Sequence, residues 1–436
     1  MRLGDFLTAY PNFRFDLEEH LRSTMVSASL ARSLKDFVCE RSRRANVEDY
    51  AARIVASVNE GGLRGVPAYR YLPKIDKVQD LPFVEKDDIR RNGMAYISTN
   101  FTPDDLWAKK TTGSSGPPLT VFYSAEFYFD LLLLSIQKVA LTAGIAGDDR
   151  PIFCLAISGN RSCTEYVAVE PSRHIGLVVQ ILVEENKPES FRRALRMIRR
   201  LRPVCVSSKP TIYEILCSLV DRELDAESAP EIVLSGGAQM SPYLREELAR
   251  CLSGKVIDTY GMTEFGLIAS ESDEGEMLID TSGVTVEVLD EQGLSVPSGQ
   301  VGELVISSIR NTAMPLLRYR TQDLGALDST GTRLKRFSGR KIQCFRLNGG
   351  ALFSPTFFND LFSRFGEVGE FQLIQKQISQ FELLIDLRRG VATDPNLLER
   401  VSAYIADSIP GRPLVSAQLG TRRTGEKFER FKTYCR

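Results

Sequence analysis

Short apolar runs and helical patterns take turns through the middle of the chain. Pro151–Ile157, Gly176–Val183 and Val204–Ser207 read as strands, while Pro188–Leu201 and Thr211–Val220 carry the helical spacing. Such alternation predicts a mostly parallel sheet with helices over both faces, an α/β fold. In the 188–201 segment Phe191, Ala194, Leu195, Ile198 and Leu201 fall on one face, and Arg192, Arg193, Arg196, Arg199 and Arg200 occupy the rest. Flanked by Glu184, Glu185 and Glu189, these arginines read as a solvated face rather than an anion site. The most apolar run, Phe127–Ile136, contains Asp130 and ends at Gln137-Lys138, well short of the ~20 residues a bilayer span needs. It predicts a buried helix.

Farther along, Val286, Val288, Val301, Leu304 and Ile306 are broken by Gly293, Pro297-Ser298-Gly299 and Gly302, so 284–324 predicts a small antiparallel barrel or meander. A boundary is expected at Gly339-Arg340, dividing the chain into 1–339 and 340–436. Beyond it, Phe371–Ile374, Glu382–Asp386 and the helical Pro395–Ile409 form a compact α+β unit of about a hundred residues.

Length and composition narrow the function classes. A chain of 436 residues is expected to hold two or three units. Its 43% hydrophobic and 25% charged content is ordinary for a globular protein, and a net charge of -1 offers no general attraction to nucleic acid. No apolar stretch of signal-peptide length opens the chain, so a cytoplasmic protein with no membrane partner is expected. Eight scattered cysteines without a C-x-x-C pair, beside two histidines, argue against structural zinc and for reduced thiols.

The candidate chemistry begins at Thr111–Pro118, a run of Thr, Ser, Gly and Pro that follows Lys109-Lys110 and precedes the strand-like Leu119–Tyr123. Glycines let backbone N–H groups approach an anion closely and the hydroxyls add donors, although an ordinary turn has the same composition. Pro117-Pro118 and a strand-like segment behind it exclude a Walker A loop. Two later segments change its meaning: Asp258-Thr259-Tyr260-Gly261-Met262-Thr263-Glu264-Phe265-Gly266 and Leu317-Arg318-Tyr319-Arg320-Thr321-Gln322-Asp323-Leu324-Gly325.

Together with the Ser235-Gly236-Gly237-Ala238 turn and Gly339-Arg340, in this order, these segments resemble the adenylate-forming superfamily of acyl-CoA synthetases and adenylation domains, nearest its phenylacetate-CoA ligase branch. The resemblance runs from about Tyr71 to Tyr434 and implies a large N-terminal domain plus a small mobile C-terminal domain. It implies that Thr112, Gly113, Ser114, Ser115 and Gly116 hold the β- and γ-phosphates of ATP. Tyr260 would stack on adenine, with Asp258 and the Gly236-Gly237-Ala238 backbone near its edge and Gly261-Met262 beside it. Thr263 would contact the α-phosphate, and Glu264 would hold Mg²⁺, a hard ion that prefers carboxylate oxygens. For Glu264 the alternative is a helix-start carboxylate satisfied by backbone N–H groups. Asp323 would accept both ribose hydroxyls, Arg340 would meet ribose or phosphate, and Arg423–Arg430 carries Lys427 where the superfamily has its adenylation lysine.

For the acid itself, Tyr123 and Phe127, together with Gly236, are expected to build an aryl pocket, unless these aromatics are simply core. Three positions depart from the family pattern: Pro117 where the branch has Lys, Gln322 where it has Gly, and Ile342 at the hinge. Gly350 matches the loop used for thioester formation. The expected activity is ATP-dependent conversion of an aryl or arylacetic acid to an acyl-adenylate and then a CoA thioester. A carrier protein or amine as acceptor, an adenylyltransferase, and a catalytically silent nucleotide-binding homologue are the rivals.

Overall fold

The computed structural model describes residues 47–111, 118–145, 152–159, 166–169, 176–184, 187–219, 224, 227–238, 240–340, 344–350, 352–353, 355, 358, 361–388, 394–420 and 431–435. The first elements are α1 (Val47–Asn59) and α2 (Lys86–Asn92), followed by an antiparallel hairpin of β1 (Trp107–Lys110) and β2 (Thr120–Tyr123). Next comes one nearly continuous helical stretch: α3 (Ala125–Phe129), a π-helical turn Asp130–Leu134, and α4 (Ser135–Thr142). It is the predicted buried helix, with Phe127, Leu133, Leu134 and Ile136 all inaccessible.

An eight-stranded sheet follows, built from β3 (Ile152–Ser158), β4 (Tyr166–Val169), β5 (Gly176–Leu182), β6 (Cys205–Ser208), β7 (Ile232–Gly236), β8 (Lys255–Met262), β9 (Gly266–Glu271) and β10 (Met277–Ile279). Its order is β10-β9-β8-β7-β6-β3-β5-β4. The centre from β5 to β8 is parallel and both edges are antiparallel. Helices cover both faces, as near-continuous apolar strands require. On one face Leu155, Val206 and Val233 pack against α5 (Pro188–Leu201), α6 (Pro210–Ser218) and α7 (Pro242–Leu252). On the other, Cys154, Cys205, Leu234 and Ile257 pack against α4.

Helix α5 matches the range read from its spacing. Pro188 opens it at a position whose N–H would be unpaired anyway, the five apolar positions are buried, and Arg202 closes it in the left-handed conformation at φ 48.

The second sheet is a four-stranded antiparallel meander of β11 (Thr285–Leu289), β12 (Gly302–Ser308), β13 (Leu316–Leu327) and β14 (Leu334–Arg340). Beyond it lie the small pair β15 (Phe345–Arg346) and β16 (Leu352–Phe353), α8 (Leu361–Arg364), and a sheet of β17 (Val368–Gln377), β18 (Gln380–Leu387), β19 (Leu414–Leu419) and β20 (Phe431–Thr433), with α9 (Leu397–Ser408) packed on β19. Phe345, Phe358, Phe371, Leu383, Val401 and Phe431 give this last region an apolar cluster of its own. Among the described residues no helix is long and apolar enough to cross a membrane.

Candidate active site

The carboxyl ends of β6, β7 and β8 come together, and open α/β sheets bind ligands outside the carboxyl ends of their strands. Ser208, Ser235 and Asp258 stand in one register row, so they share a face. By strand alternation this is the α6–α7 face, while Gly236 and Thr259, one residue on, turn to the α4 face. The Ser235 hydroxyl is buried with no partner among the described residues. Thr259 donates to the Ser235 carbonyl at 2.9 Å and fills the space over Gly236, where an added Cβ would lie 2.5 Å from its Oγ1. Gly237 takes φ +79, and Ala238 follows it out of the strand.

Asp258 is half-buried, and burial pushes its carboxyl up to about 7; the Thr259 N–H and Arg245 pull it down and Glu271 adds to the rise. Glu271 accepts the Asp258 N–H at 3.0 Å while paired with Arg245 at 2.8 Å.

Tyr260, Gly261 and Met262 finish β8, and Thr263-Glu264-Phe265 form the turn into β9. Glu264 therefore sits in a β-hairpin and not at a helix start. It is buried, its Oε1 accepting the Tyr319 hydroxyl at 2.9 Å with Lys86 Nζ 3.9 Å away. The Thr263 carbonyl accepts the Tyr123 hydroxyl at 2.7 Å.

From the next sheet, Asp323 reaches the same place. The Tyr260 hydroxyl donates to Asp323 Oδ2 at 2.8 Å, joining the two residues expected at adenine and ribose, and the Tyr260 ring lies 4.8 Å from Phe337. Arg340 is the register partner of Asp323 across β13 and β14. Gln322 holds φ 65, in the left-handed region that favours glycine, the residue the resemblance leads one to expect there, and its N–H donates to Glu303 at 3.2 Å. Arg318 is also left-handed, at φ 45, with its buried guanidinium ion-paired to Glu287 and donating to the carbonyls of Gln79 and Leu81.

Thr112, Gly113, Ser114, Ser115, Gly116, Pro117, Ile342 and Lys427 lie outside the described residues. The base of the phosphate-loop candidate is described: Thr111 N–H donates to the Leu119 carbonyl at 2.8 Å, and Leu119 N–H returns to Thr111 Oγ1 at 2.9 Å. Lys109 and Lys110 are exposed on β1. Tyr123 and Phe127 are packed inside, ring to ring at 5.4 Å, with Tyr123 committed to the Thr263 carbonyl.

Sequence reasoning missed Tyr319 and Lys86. Tyr319 falls inside the Arg-Tyr-Arg-Thr-x-Asp segment already singled out, so its nearness to the motif was the available signal; Lys86 had none. The donor set fits Mg²⁺: Glu264 Oε2 carries no bond from the described residues, and this ion takes one or two carboxylates and completes its shell with phosphate and water.

Against known proteins, the family model of AMP-binding enzymes matches residues 163–314. Phenylacetate-coenzyme A ligases are similar: that of Pseudomonas putida is 25% identical over 301 residues (65% of this chain, 65% of the relative), and that of Thermus thermophilus 25% over 303 (64% and 65%). That of Escherichia coli is 25% identical over 173 residues, 36% of this chain. The chain spans 39% to 65% of the length of these three relatives.

Among solved structures, 2-hydroxyisobutyryl-CoA ligase in its postadenylation state superposes with a TM-score of 0.62 at 16% identity, covering 93% of this chain and 88% of that one. An anthranilate-CoA ligase with anthranoyl-AMP gives 0.53 at 15%, covering 78% and 75%. The fold is that of adenylate-forming enzymes. In sequence the chain is similar to AMP-binding enzymes over 163–314 and to phenylacetate-coenzyme A ligases over about two thirds of its length.

Proposed function

We propose that the protein is an ATP- and Mg²⁺-dependent acid–CoA ligase that forms AMP. A carboxylate oxygen attacks the α-phosphorus of ATP and expels pyrophosphate; the thiol of CoA then attacks the acyl carbon of the acyl-adenylate and AMP leaves. The single observation that carries this reading is the meeting of Tyr260, Asp323, Thr263 and Glu264, drawn from two sheets, at the carboxyl ends of the parallel strands. Such a cluster offers an aromatic face for a base, a carboxylate for a ribose diol, and a carboxylate for a metal.

The difficulty of the first step is that two anions must meet, so fixed donors and positive charge have to stand where charge accumulates. Asp323 orients the nucleotide through its ribose, Asp258 and the Gly236-Gly237-Ala238 backbone border its base, and Arg340 stands opposite Asp323 in the ladder. Glu264 would hold Mg²⁺, which neutralises phosphate charge when bound. Residues 112–116 would cradle the β- and γ-phosphates above the closed base at Thr111 and Leu119. Lys427, on a C-terminal domain that moves as a unit from about residue 340, would bring an ammonium to the carboxylate and the α-phosphate. The acid is aryl or arylacetic, and would bind near the Gly236 turn with the rings of Phe127 and Tyr123 as its aromatic wall. A cytoplasmic setting, where ATP and CoA are at hand, suits this activity.

Pyrophosphate release across a panel of aryl, arylacetic and short aliphatic acids, each with and without CoA, tests the proposal. Release specific to one acid class and raised by CoA is the expected result. Release indifferent to CoA keeps the adenylation step and makes the acceptor a carrier protein or an amine, a reading motivated by Pro117, Gln322 and Ile342.

A further inference from the structure

Beside the Thr263–Glu264 turn the half-buried Arg310 joins three buried charged side chains, Asp130, Lys138 and Asp280. Arg310 Nη1 meets Asp280 Oδ2 at 2.7 Å, Lys138 Nζ meets the same oxygen at 2.9 Å, and Arg310 Nε lies 3.2 Å from Asp130 Oδ2. Ser282 donates to the other oxygen of Asp280. Two cations balance two anions. A buried ion network is by itself a weak source of stability, because apolar side chains of the same volume often serve as well. Its directional hydrogen bonds are another matter.

Arg310 Nη2 donates to the carbonyls of Phe265, at 2.9 Å, and of Leu267, at 3.0 Å. These residues flank Gly266, which holds φ +71 and whose absent Cβ would lie 2.2 Å from Leu131 Cδ2. Leu131 belongs to the π-helical turn that Asp130 begins, which continues the helix carrying Phe127, and the Arg310 guanidinium carbon stands 5.7 Å from the Phe127 ring. π-helical turns of this kind recur at functional sites. One guanidinium thus touches the backbone of the Thr263–Glu264 hairpin and the helical segment on the acid side.

We propose that Arg310 is a positioning residue for adenylation. It fixes the distance between the turn that carries Thr263 and Glu264 and the helical segment Phe127–Leu131. It touches no reacting atom. The inference rests on the function proposed above and deepens it. Lysine cannot replace this arginine: a single ammonium keeps the charge but lacks the planar fork that reaches two carboxylates and two carbonyls together.

The test compares Arg310→Lys with Lys138→Met in the full chain. Lys138→Met removes a charge from the same network and leaves the guanidinium fork in place. Both variants are expected to lose stability in urea. Only Arg310→Lys is expected to raise the Mg²⁺ half-saturation of acid-dependent ATP–pyrophosphate exchange and to lower its kcat about tenfold or more, measured well below either unfolding midpoint. Wild-type kcat and Mg²⁺ dependence in folded Arg310→Lys would overturn the proposal. Should that variant fail to fold, Asp130→Asn keeps the shape and frees one side of the guanidinium, and a shift in the same direction of about threefold is expected; unchanged values overturn it equally. Calorimetric titration with Mg·ATP separates this inference from the functional reading. Weaker binding by Arg310→Lys but not by Lys138→Met sustains the positioning role even where no acid supports exchange, and equal binding by both sinks it.

Discussion

The hydroxyl of Tyr319 donates to Oε1 of Glu264 at 2.9 Å, from strand β13 to the β8–β9 hairpin, with both groups buried. A buried carboxylate that loses such a donor keeps its desolvation cost without the compensating bond. Tyr319→Phe is therefore expected to cost about 2 kcal/mol of stability. It should also raise the Mg²⁺ concentration at half-maximal pyrophosphate exchange, because Glu264 is free to swing. Urea unfolding together with a Mg²⁺ titration checks both; unaltered Mg²⁺ dependence would separate Glu264 from the metal.

Gln322 pays for its left-handed backbone at φ 65. Glycine adopts this region without strain, at the cost of a floppier unfolded chain, so Gln322→Gly is expected to gain about 0.5–1 kcal/mol. Gln322→Val should lose stability by a similar amount or more. A shift of the urea midpoint in the opposite order would show that the turn is not strained.

The carboxyl of Asp258, pushed by burial up to about 7, makes stability depend on pH. Since its folded value lies above the unfolded one near 3.9, the fold favours the protonated acid. That contribution is complete at low pH and is lost as pH rises through about 7. Asp258→Asn mimics the protonated form and should flatten the fall in Tm between pH 5 and pH 8. Parallel Tm curves for wild type and variant would remove Asp258 as the titrating group.

Lys427→Ala is expected to abolish acid-dependent ATP–pyrophosphate exchange while leaving Mg·ATP binding near wild type, since the ammonium is needed where charge develops in the transition state. An unchanged exchange rate would take the adenylation role away from Lys427.

Much of the framework was legible because short-range patterns carry it. Helix α5 follows from five apolar positions at helical spacing and a leading proline, and the parallel strands from runs such as Ile152–Ser158 that alternate with helices. Tyr260 and Asp323 were singled out separately, for the base and for the ribose. Tyr319, Lys86 and Arg310 were not: Tyr319 lay inside a motif that does not say what its hydroxyl faces, and nothing near Lys86 or Arg310 in the chain marks either. Tyr123 was read as pocket lining from its ring, and the sequence did not show that its hydroxyl donates to the Thr263 carbonyl 140 residues away. An aromatic residue looks the same in sequence whether its hydroxyl clamps a backbone or its ring meets a ligand.

The sequence by itself determined the order of elements and the identity of the polar groups offered for chemistry, because hydrophobic periodicity, turn residues and motif composition act over a few neighbouring positions. Only the tertiary structure decided how those groups are held: that Tyr260 bonds Asp323, that Tyr319 and Lys86 face Glu264, and that Arg310 grips the carbonyls on both sides of Gly266. These partners lie 43 to 63 residues apart for the hydrogen bonds, and farther for Lys86. Hydrogen bonds and ion pairs act over a few ångströms, so which residues share one depends on how the sheets pack and leaves no local mark in the chain.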